Sequence, residues 1–480
     1  MTPHDLVLEH YTFPFQFRPF QIEAINTLSP LPRTGLYLEP GLGKTAVSTA
    51  CALYKLIKGE AGAVLVIVPP LLVTQWVRWL SRVKLRDGRS LRVVPYEGPP
   101  KKRRSLSFDA DFVLSGIQVF KRDLERIERE TMSRRWHVIL DEAHCIKDVA
   151  SGNYHYYRDY VEGRTHQLLT GTPLNVPIDA YAYCNLVSPG AYRNLLHFET
   201  EHVEAKDIFD RPCEYKNLEV LQHNLLLNSV RKTKEDVLPD LPEAIVTEIE
   251  YDLDPRHYAL YKELAMTKLL RLKDDEKIDA TQASALFHAL GQIVCQWHYF
   301  GQDEKLKSNI YTLIEEVLDE LGDKKLIVFS NYQRTNEEVV RRYNAPGIWG
   351  AIPPKQKLLN LNRFLDDPKC RLIAMHPVSA GQGVDGCQHV CTDVIYAEPP
   401  VTPSHLTQSL SRVHREGQTR SVTVRLAVAR GTLQRDRVSV LAEKEELVNP
   451  IQGSKTYLTG SEIKRIIFGG TLGYALRLDT

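Results

Sequence analysis

Short runs of apolar residues recur in two separate blocks of the chain, and each run ends in turn or polar residues. The runs are continuous rather than alternating, which is typical of parallel strands buried on both faces of a sheet. Segments with helical character lie between them, so each block predicts an α/β lobe with a parallel sheet flanked by helices. The runs cover residues 36–38, 64–68, 112–114, 138–140 and 167–170 in the first block, and 326–329, 372–375, 394–396 and 422–428 in the second.

The clearest helical pattern lies in the second block, where apolar residues at 310, 313, 314, 317, 318 and 321 share one face. Ser308 is a candidate N-cap for this helix and Gly322 a candidate stop. Between about residues 200 and 300 the strand pattern fades and helix-like stretches dominate. We therefore expect a first lobe over residues 1–200, a helical insertion and linker over 201–300, and a second lobe with a C-terminal tail over 301–480.

The length of the chain agrees with two lobes, whereas its net charge does not identify a partner. The chain has 480 residues, too many for one hydrophobic core. Its net charge of +1 neither favours nor excludes a polyanion, so any nucleic-acid surface must come from local basic patches and backbone amides. No apolar run approaches the roughly 20 residues that span a bilayer, and the N-terminus has no signal-peptide pattern, so we expect no membrane partner.

The eight cysteines are scattered and form no CxxC pair. Cys387 and Cys391, with His389 between them, could be metal ligands, but buried thiols are the favoured interpretation because no second ligand pair stands at a fitting distance. A reducing compartment fits best, and we expect the protein in the cytoplasm at nucleic acid, with the nucleus left open. The basic run 101–104 predicts an exposed loop, and we favour a solvated surface there over a phosphate contact.

A candidate phosphate-binding loop follows the first apolar run. The segment Gly41-Leu42-Gly43-Lys44-Thr45 precedes an Ala-rich helical stretch, the context in which backbone N–H groups and a helix N-terminus surround phosphates. Lys44 would reach the β- and γ-phosphates, and the Thr45 hydroxyl would bind Mg²⁺. The loop departs from the general GxxxxGK[ST] pattern, because Leu38 occupies the position of the first glycine.

A pair of carboxylates follows the apolar run at 138–140. Asp141 comes directly after this buried strand, where its carboxylate is placed to hold the Mg²⁺ shell. The neighbouring Glu142 can orient and deprotonate an attacking water molecule. An acidic turn would explain this pair alone, but two motifs at strand ends in the expected order predict an NTPase. Upstream, Gln21 can read adenine, since an amide both donates and accepts hydrogen bonds.

With these motifs in place, the chain resembles the Swi/Snf-type members of helicase superfamily two from Phe17 to about Val428. The resemblance extends to a phosphate loop that lacks the first glycine and to a DEAH box followed by Ile146-Lys147. In the first lobe it rests on residues 18–21 (adenine recognition), 41–45, 66–69 with 75–76, 115–116, 141–147 and 169–175 (a coupling motif). In the expected linker it rests on residues 233–242, a segment typical of this family rather than of helicases at large.

In the second lobe, residues 379–385 and 408–418 resemble the family's fifth and sixth motifs. The spacing of Arg412 and Arg415 predicts that both lie on one helical face, from which they could project across a cleft to a γ-phosphate. Two departures concern the DNA contacts of this lobe: Asp385 replaces the family's usual Asn, and the Trp-Asn-Pro that commonly follows the family's Asp-Pro is missing after Glu398-Pro399.

The resemblance implies two RecA-like parallel-sheet lobes with a helical linker, in a compact form without accessory domains. It also implies an ATP hydrolase that uses ATP and Mg²⁺ to move on or remodel duplex, forked or branched DNA without sequence specificity. An RNA helicase, the motor subunit of a restriction or anti-restriction complex with a partner chain, and a catalytically inactive nucleic-acid clamp are the alternatives. A basic grip on phosphates is expected from Lys121, Arg122 and Arg420.

The candidate residues fall into four groups. The catalytic group is Lys44, Asp141, Glu142, Arg412 and Arg415; the nucleotide-binding group is Arg18, Gln21, Gly41, Leu42, Gly43, Lys44, Thr45, Gly383 and Asp385; the Mg²⁺ ligands are Thr45 and Asp141; and the expected nucleic-acid contacts are Gln75, Ser115, Gly116, Thr172, Ser330 and Asn331.

Overall fold

The structure, a computed structural model, divides into two compact units. The first comprises Met1–Pro239 with the described part of Leu447–Lys455, and the second comprises Asp240–Glu446. The residues that the structure describes are 1–207, 210–267, 269–271, 277–279, 283–300, 307–380 and 384–452.

The first unit is built on a parallel sheet with the strand order β11-β2-β8-β7-β3-β6-β5 among the described residues. Every neighbouring pair in this order runs parallel. The pairs β1–β4 and β9–β10 are small antiparallel additions. The strands of this unit are β1 (Tyr11–Thr12), β2 (Arg33–Leu38), β3 (Ala63–Val68), β4 (Lys84–Leu85), β5 (Val93–Tyr96), β6 (Phe112–Gly116), β7 (Trp136–Asp141), β8 (Thr165–Leu169), β9 (Val203–Lys206), β10 (Pro212–Tyr215) and β11 (Ser229–Lys232).

Helices cover both faces of this sheet, and the two faces pack into separate apolar cores. Residues 63–68 are buried along their whole length, as expected for a strand between two helical layers. The helices are α1 (Pro3–His10), α2 (Pro19–Leu28), α3 (Lys44–Ile57), α4 (Val73–Leu80), α5 (Pro100–Arg104), α6 (Ile117–Arg122), α7 (Leu124–Thr131), α8 (Gly152–Val161), α9 (Ala180–Val187), α10 (Leu195–His202), α11 (Leu218–Leu226) and α12 (Lys234–Val237).

The second unit repeats this plan with the order β12-β19-β18-β15-β17-β16 in the described part of the chain, and its neighbouring strands are again parallel. A separate antiparallel pair joins β13 to β14. The strands are β12 (Ala244–Tyr251), β13 (Leu269–Arg271), β14 (Lys277–Asp279), β15 (Lys325–Phe329), β16 (Gly347–Ile348), β17 (Leu372–Met375), β18 (Cys391–Tyr396) and β19 (Val422–Ala429).

Helix α16 begins and ends as the sequence predicts, with Ser308 before it and Gly322, at a φ of 58°, after it. The Ser308 hydroxyl does not cap this helix, because it accepts a hydrogen bond from the N–H of Trp297 at 2.8 Å. The helices of this unit are α13 (Pro255–Thr267), α14 (Ala283–Cys295), α15 (Trp297–Phe300), α16 (Asn309–Leu321), α17 (Gln333–Tyr343), α18 (Pro354–Asp366), α19 (Pro377–Ala380), α20 (Cys387–Val390), α21 (Pro403–Leu410) and α22 (Leu433–Gln452), of which the residues from Leu447 belong to the first unit.

The predicted fold class, α/β with two parallel-sheet lobes, is confirmed, and all nine apolar runs coincide with strands. The helical linker expected over residues 201–300 needs correction. Strand β11 completes the first sheet, β12 belongs to the second, and the boundary between the units falls at Pro239–Asp240. Both strands lie at sheet edges and are only partly buried, so they lack the continuous apolar run that identifies an inner strand.

Three smaller findings concern the basic run, which is a helix rather than the expected loop, the cysteines and membrane-spanning helices. The run 101–104 forms the short helix α5, and Arg103 is buried in an ion pair with Asp123 at 2.7 Å, so one of its charges is structural. Cys387 and Cys391 are buried free thiols, and the described residues contain no cluster of side chains suited to a metal ion. No helix in the described part of the chain is long and apolar enough to cross a membrane.

Candidate active site

The loop between β2 and α3 has the backbone that a phosphate cradle needs. Gly41 and Gly43 both take left-handed conformations, with φ of 95° and 84°, which L side chains adopt only under strain. Gly43 is the N-cap of α3, so the helix begins at Lys44 and its free N–H groups face the loop. A β-carbon at Gly43 would also lie 2.5 Å from the Gln21 amide nitrogen.

Gln21 joins helix α2 to this loop. Its Nε2 donates to the carbonyl of Leu42 at 3.1 Å, and its Oε1 accepts from the N–H of Arg18 at 3.0 Å. The side chain is buried, so its amide fixes the loop against the start of α2. An amide has two N–H groups and two lone pairs, which leaves one of each for an adenine edge.

Lys44 and Thr45 occupy the first turn of α3 and are both half-buried. The Lys44 Nζ donates to the carbonyl of Leu38 at 3.0 Å, so the ammonium group turns back over the loop. This carbonyl belongs to the last residue of β2, one residue before the loop begins at Glu39. The lysine therefore lies where phosphate oxygens held by the loop would meet it.

Asp141 ends the inner strand β7 and is 6% exposed. Its Oδ2 accepts a hydrogen bond from the Trp76 indole at 2.8 Å, and its Oδ1 accepts from the N–H of Glu142 at 2.9 Å. Burial and the adjacent Glu142 raise the pKa of Asp141 above its ordinary value, while the Trp76 bond and the Lys44 charge oppose the rise.

Glu142 carries backbone strain. Its φ is 53°, and in the described part of the chain the other non-glycine residues with positive φ are Asn or Asp, which tolerate this region better. Strain of this kind persists where the surrounding structure holds it, and it is concentrated at functional sites. The Glu142 carboxylate lies 3.2 Å from Nδ1 of His144 and is half-buried.

These residues fit a magnesium-bound nucleotide. Burial, and after it the charge of the adjacent Glu142, raise the pKa of Asp141, and a divalent cation would stabilise both carboxylates in this position. The glycine loop, the start of α3 and Lys44 supply N–H groups and positive charge for phosphates. Thr45 and Asp141 would hold Mg²⁺, and Glu142 would face the water that attacks.

The 170–175 turn is anchored to the segment after the acidic pair. The Asp179 Oδ2 accepts from the N–H groups of Asn175 and Val176 at 2.8 and 3.2 Å. The same oxygen accepts from Lys147 Nζ at 2.9 Å. This lysine ends the Asp141–Lys147 segment, so one carboxylate connects two of the predicted motifs.

The six residues expected to contact nucleic acid differ in exposure. Gln75 is exposed on α4 and Asn331 is half-buried. Ser115, Gly116, Thr172 and Ser330 are buried, so in this structure these residues offer little surface to a partner. The basic residues Arg122 and Arg420 are exposed, and Lys121 is half-buried, where its Nζ donates to Asn153 at 3.0 Å.

The predicted arginine pair of the second unit lies outside a regular helix, which corrects the sequence-based expectation. Helix α21 ends at Leu410, and Arg412 and Arg415 follow in a series of turns. The Arg412 guanidinium donates to the carbonyl of Val384 at 3.2 Å. Arg415 forms an ion pair with Asp385 at 3.0 Å. Gly383, a predicted nucleotide-binding residue, lies outside the described residues.

The buried Ser330 side chain is hydrogen-bonded to the carboxylate of Glu398. Its carboxylate accepts from the Ser330 hydroxyl at 2.9 and 3.1 Å and from the N–H of Asn331. The residue is fully buried, and burial raises the pKa of Glu398 to about 7. The ends of β15 and β18 are thereby joined through one carboxylate.

Sequence reasoning missed several residues that shape the site. Trp76 stood in a recognised segment, but nothing in the sequence showed that its indole meets Asp141. Asp179 accepts from the Lys147 ammonium 32 residues earlier, and Glu398 accepts from Ser330 and Asn331 almost 70 residues earlier, so neither relation follows from a spacing pattern. The only sign of Asp179 and Glu398 in the sequence is a carboxylate close to a predicted strand end or turn.

The profile of the SNF2-related domain family matches residues 23–298, which is more than half of the chain. The chain is 25% identical over 467 residues to an uncharacterized ATP-dependent helicase of Mycoplasma pneumoniae, covering 93% of this chain and 43% of that protein. It is 26% identical over 475 residues to the DNA annealing helicase and endonuclease ZRANB3 of Mus musculus, covering 92% and 41%. The chain thus spans about two-fifths of the length of these curated relatives.

Among solved structures, the Sulfolobus solfataricus SWI2/SNF2 ATPase core in complex with dsDNA matches at a TM-score of 0.42 and 22% identity, covering 95% of this chain and 98% of that one. The family assignment rests on the profile match, which spans the phosphate-loop helix, the acidic pair and the segment after β11. The chain belongs to the SNF2-related domain family.

Proposed function

We propose that this chain is a DNA-dependent ATPase that couples ATP hydrolysis to movement on, or remodelling of, DNA. The observation that carries the proposal is the convergence of the left-handed glycine loop, Lys44, and the buried Asp141 beside Glu142 in a chain of this family. Each of these features favours phosphoryl chemistry on a magnesium-bound nucleotide.

The proposed roles follow the positions of the side chains. Lys44 and the loop amides hold the β- and γ-phosphates, Thr45 and Asp141 bind Mg²⁺, and the cation neutralises phosphate charge. Glu142 orients the attacking water and accepts its proton. Arg412 and Arg415 act as the arginine fingers, and Asp141–His144 acts as a DEAH box. Arg18 and Gln21 contact the adenine, as the family resemblance suggests.

We propose DNA, without sequence preference, as the polymer. The name of the Mus musculus relative describes it as a DNA annealing helicase, and the solved Sulfolobus relative is a complex with dsDNA. Exposed Gln75, Arg122 and Arg420 supply donors and charge for phosphates, and such contacts carry no sequence information. Duplex, forked or branched DNA is the substrate in this proposal, and the site of action is intracellular, where the eight free thiols would stay reduced.

The test is ATP hydrolysis by the purified chain with no nucleic acid and with single-stranded, duplex, forked or four-way DNA, or RNA. Lys44→Ala removes the phosphate-binding ammonium, and Lys58→Ala, an exposed lysine just after the same helix, is its matched control. Stimulation by DNA that disappears in the first variant and persists in the second supports the proposal. Stimulation by RNA alone, or equal rates in both variants, contradicts it.

A further inference from the structure

Arg231 connects the phosphate loop to the 170–175 turn. It lies on the edge strand β11 next to β2, and its side chain is only 7% exposed. One guanidinium nitrogen donates to the carbonyls of Tyr37 and Gly171, at 2.5 and 2.9 Å. The other terminal nitrogen lies 3.8 Å from the Glu39 carboxylate. A single side chain therefore contacts the end of β2, the first residue of the phosphate loop and the turn after β8.

Glu39 makes two further hydrogen bonds, one with the end of β11 and one with the start of α12. Its N–H donates to the carbonyl of Lys232 at 3.1 Å, and its Oε2 accepts from the N–H of Lys234 at 3.0 Å. Lys234 begins α12, whose N-cap Thr233 makes a capping box with Asp236. The segment that follows β11 thus holds the start of the phosphate loop in place.

The two loops that Arg231 connects also touch directly. A β-carbon at Gly171 would lie 2.7 to 2.8 Å from ring atoms of Pro40, a distance that real β-carbons do not reach. Gly171 therefore packs its backbone on the second residue of the phosphate loop. Because this contact has no slack, a displacement of Glu39–Pro40 must move the turn as well.

The chemistry of this position favours arginine. A planar fork can serve two carbonyls and a carboxylate at once, whereas a lysine ammonium is a point charge with less fixed geometry. Burial lowers the pKa of Arg231 and the Glu39 carboxylate opposes that change. A guanidinium stays protonated in proteins, so the buried charge is balanced by Glu39 rather than removed.

We infer that Arg231 is a positioning residue that transmits the state of the phosphate loop to the 170–175 turn. The inference rests on the proposed function, since it takes the loop to hold the nucleotide. Nucleotide binding stabilises Glu39–Pro40 further in this position, and the Arg231 fork and the Pro40–Gly171 contact transmit that stabilisation to the turn. The turn contains Thr172, and through this residue the stimulation of ATP hydrolysis by DNA depends on the bound nucleotide.

The experiment compares Arg231→Lys with Arg103→Lys. Arg103 is a matched control because it is also a buried arginine of the first unit that binds a carboxylate, Asp123, and a carbonyl, that of Gly98. Amide hydrogen exchange of residues 165–175 is measured with and without ADP and Mg²⁺, and ATP hydrolysis is measured with and without duplex DNA. Melting temperatures establish that the variants fold, and Glu39→Gln gives a second, milder break in the same network.

We expect nucleotide to slow exchange at 168–174 in the wild type and in Arg103→Lys. In Arg231→Lys this protection is lost, and DNA stimulation falls at least tenfold while the KM for ATP stays within about threefold. For Glu39→Gln we expect intermediate losses of protection and of stimulation by DNA. Protection and stimulation retained in Arg231→Lys, or lost equally in Arg103→Lys, would overturn the inference. If nucleotide protects the turn in the wild type but not in Arg231→Lys, and DNA stimulates neither, the result supports transmission through Arg231 and contradicts the proposed function.

Discussion

The indole N–H of Trp76 donates to the carboxylate of Asp141 at 2.8 Å, and both side chains are almost fully buried. Helix α4 thereby fixes the orientation of the carboxylate that we propose as a Mg²⁺ ligand. Without this donor the carboxylate is no longer held in one orientation, and losing an outer-shell partner of this kind typically lowers metal affinity by about 10–100-fold.

We therefore expect Trp76→Phe to weaken binding of Mg·ADP about tenfold relative to binding of metal-free ADP, measured by titration calorimetry. Trp79→Phe is the matched control, because Trp79 lies on the same helix and donates to the Thr49 hydroxyl at 3.0 Å instead. Equal losses in both variants would mean that α4 acts through packing alone.

A second prediction concerns the ion pair between Arg415 and Asp385. Asp385 is largely exposed, so the pair is worth at most about 1 kcal/mol. Asp385→Asn should free Arg415 and raise hydrolysis without DNA by less than about fivefold, whereas Arg415→Ala should lower the stimulated rate by about 10³ or more. Steady-state ATPase assays measure both, with the exposed Asp323→Asn as control. A fall in the Asp385→Asn rate would show that this carboxylate aids hydrolysis directly.

The third prediction is a pH dependence of stability at Glu398. Its ordinary pKa is 4.5, and burial raises the pKa to about 7 in the folded protein. Between these pH values the folded chain keeps a proton that the unfolded chain releases, so stability falls as pH rises through this window and is constant above it. The full loss is on the order of 3 kcal/mol.

Glu398→Gln cannot release a proton and should remove this loss. Its melting temperature relative to the wild type should rise between pH 5 and pH 8, as measured by calorimetry. Glu316→Gln, an exposed glutamate on α16, should show no such change. If the two variants have parallel pH profiles, Glu398 is already ionised at pH 5.

A fourth prediction is that DNA binding depends on salt. Contacts to phosphates release counterions, so the logarithm of affinity should fall linearly with the logarithm of salt concentration. Arg420→Ala should reduce the slope by about 0.9 if this exposed residue meets one phosphate. Arg89→Ala, which removes an exposed arginine paired with Asp87 at 2.7 Å, should leave it unchanged. Fluorescence anisotropy at several salt concentrations measures the slopes, and a flat dependence would rule out a phosphate grip.

Much of the fold could be predicted because inner parallel strands carry a pattern of their own. The runs that became β3 and β7 are apolar throughout, since helices cover both sides. Strand β12 could not be found in this way, because it is an edge strand in which buried and exposed positions alternate irregularly. Its pairing with β19 is set by residues about 180 positions away in the chain.

The local backbone around two candidate site residues could be predicted in the same way. Asp141 ends a strand and Lys44 begins a helix, and at both positions the local sequence shows what the backbone must do. The positions of Trp76, Glu398 and Arg231 depend on long-range packing, which one sequence does not encode in a spacing. The same limit explains the four buried residues among the six expected contacts: resemblance identifies a segment and does not give the exposure of its side chains.

The central claim is that the chain is a motor on DNA, and the most direct measurement is displacement of a third strand from a DNA triplex by the purified chain. With ATP and Mg²⁺ we expect the third strand to be released at a rate that increases with ATP concentration, and Lys44→Ala to release none while still binding the duplex. DNA-stimulated hydrolysis without any release of the third strand would contradict the claim.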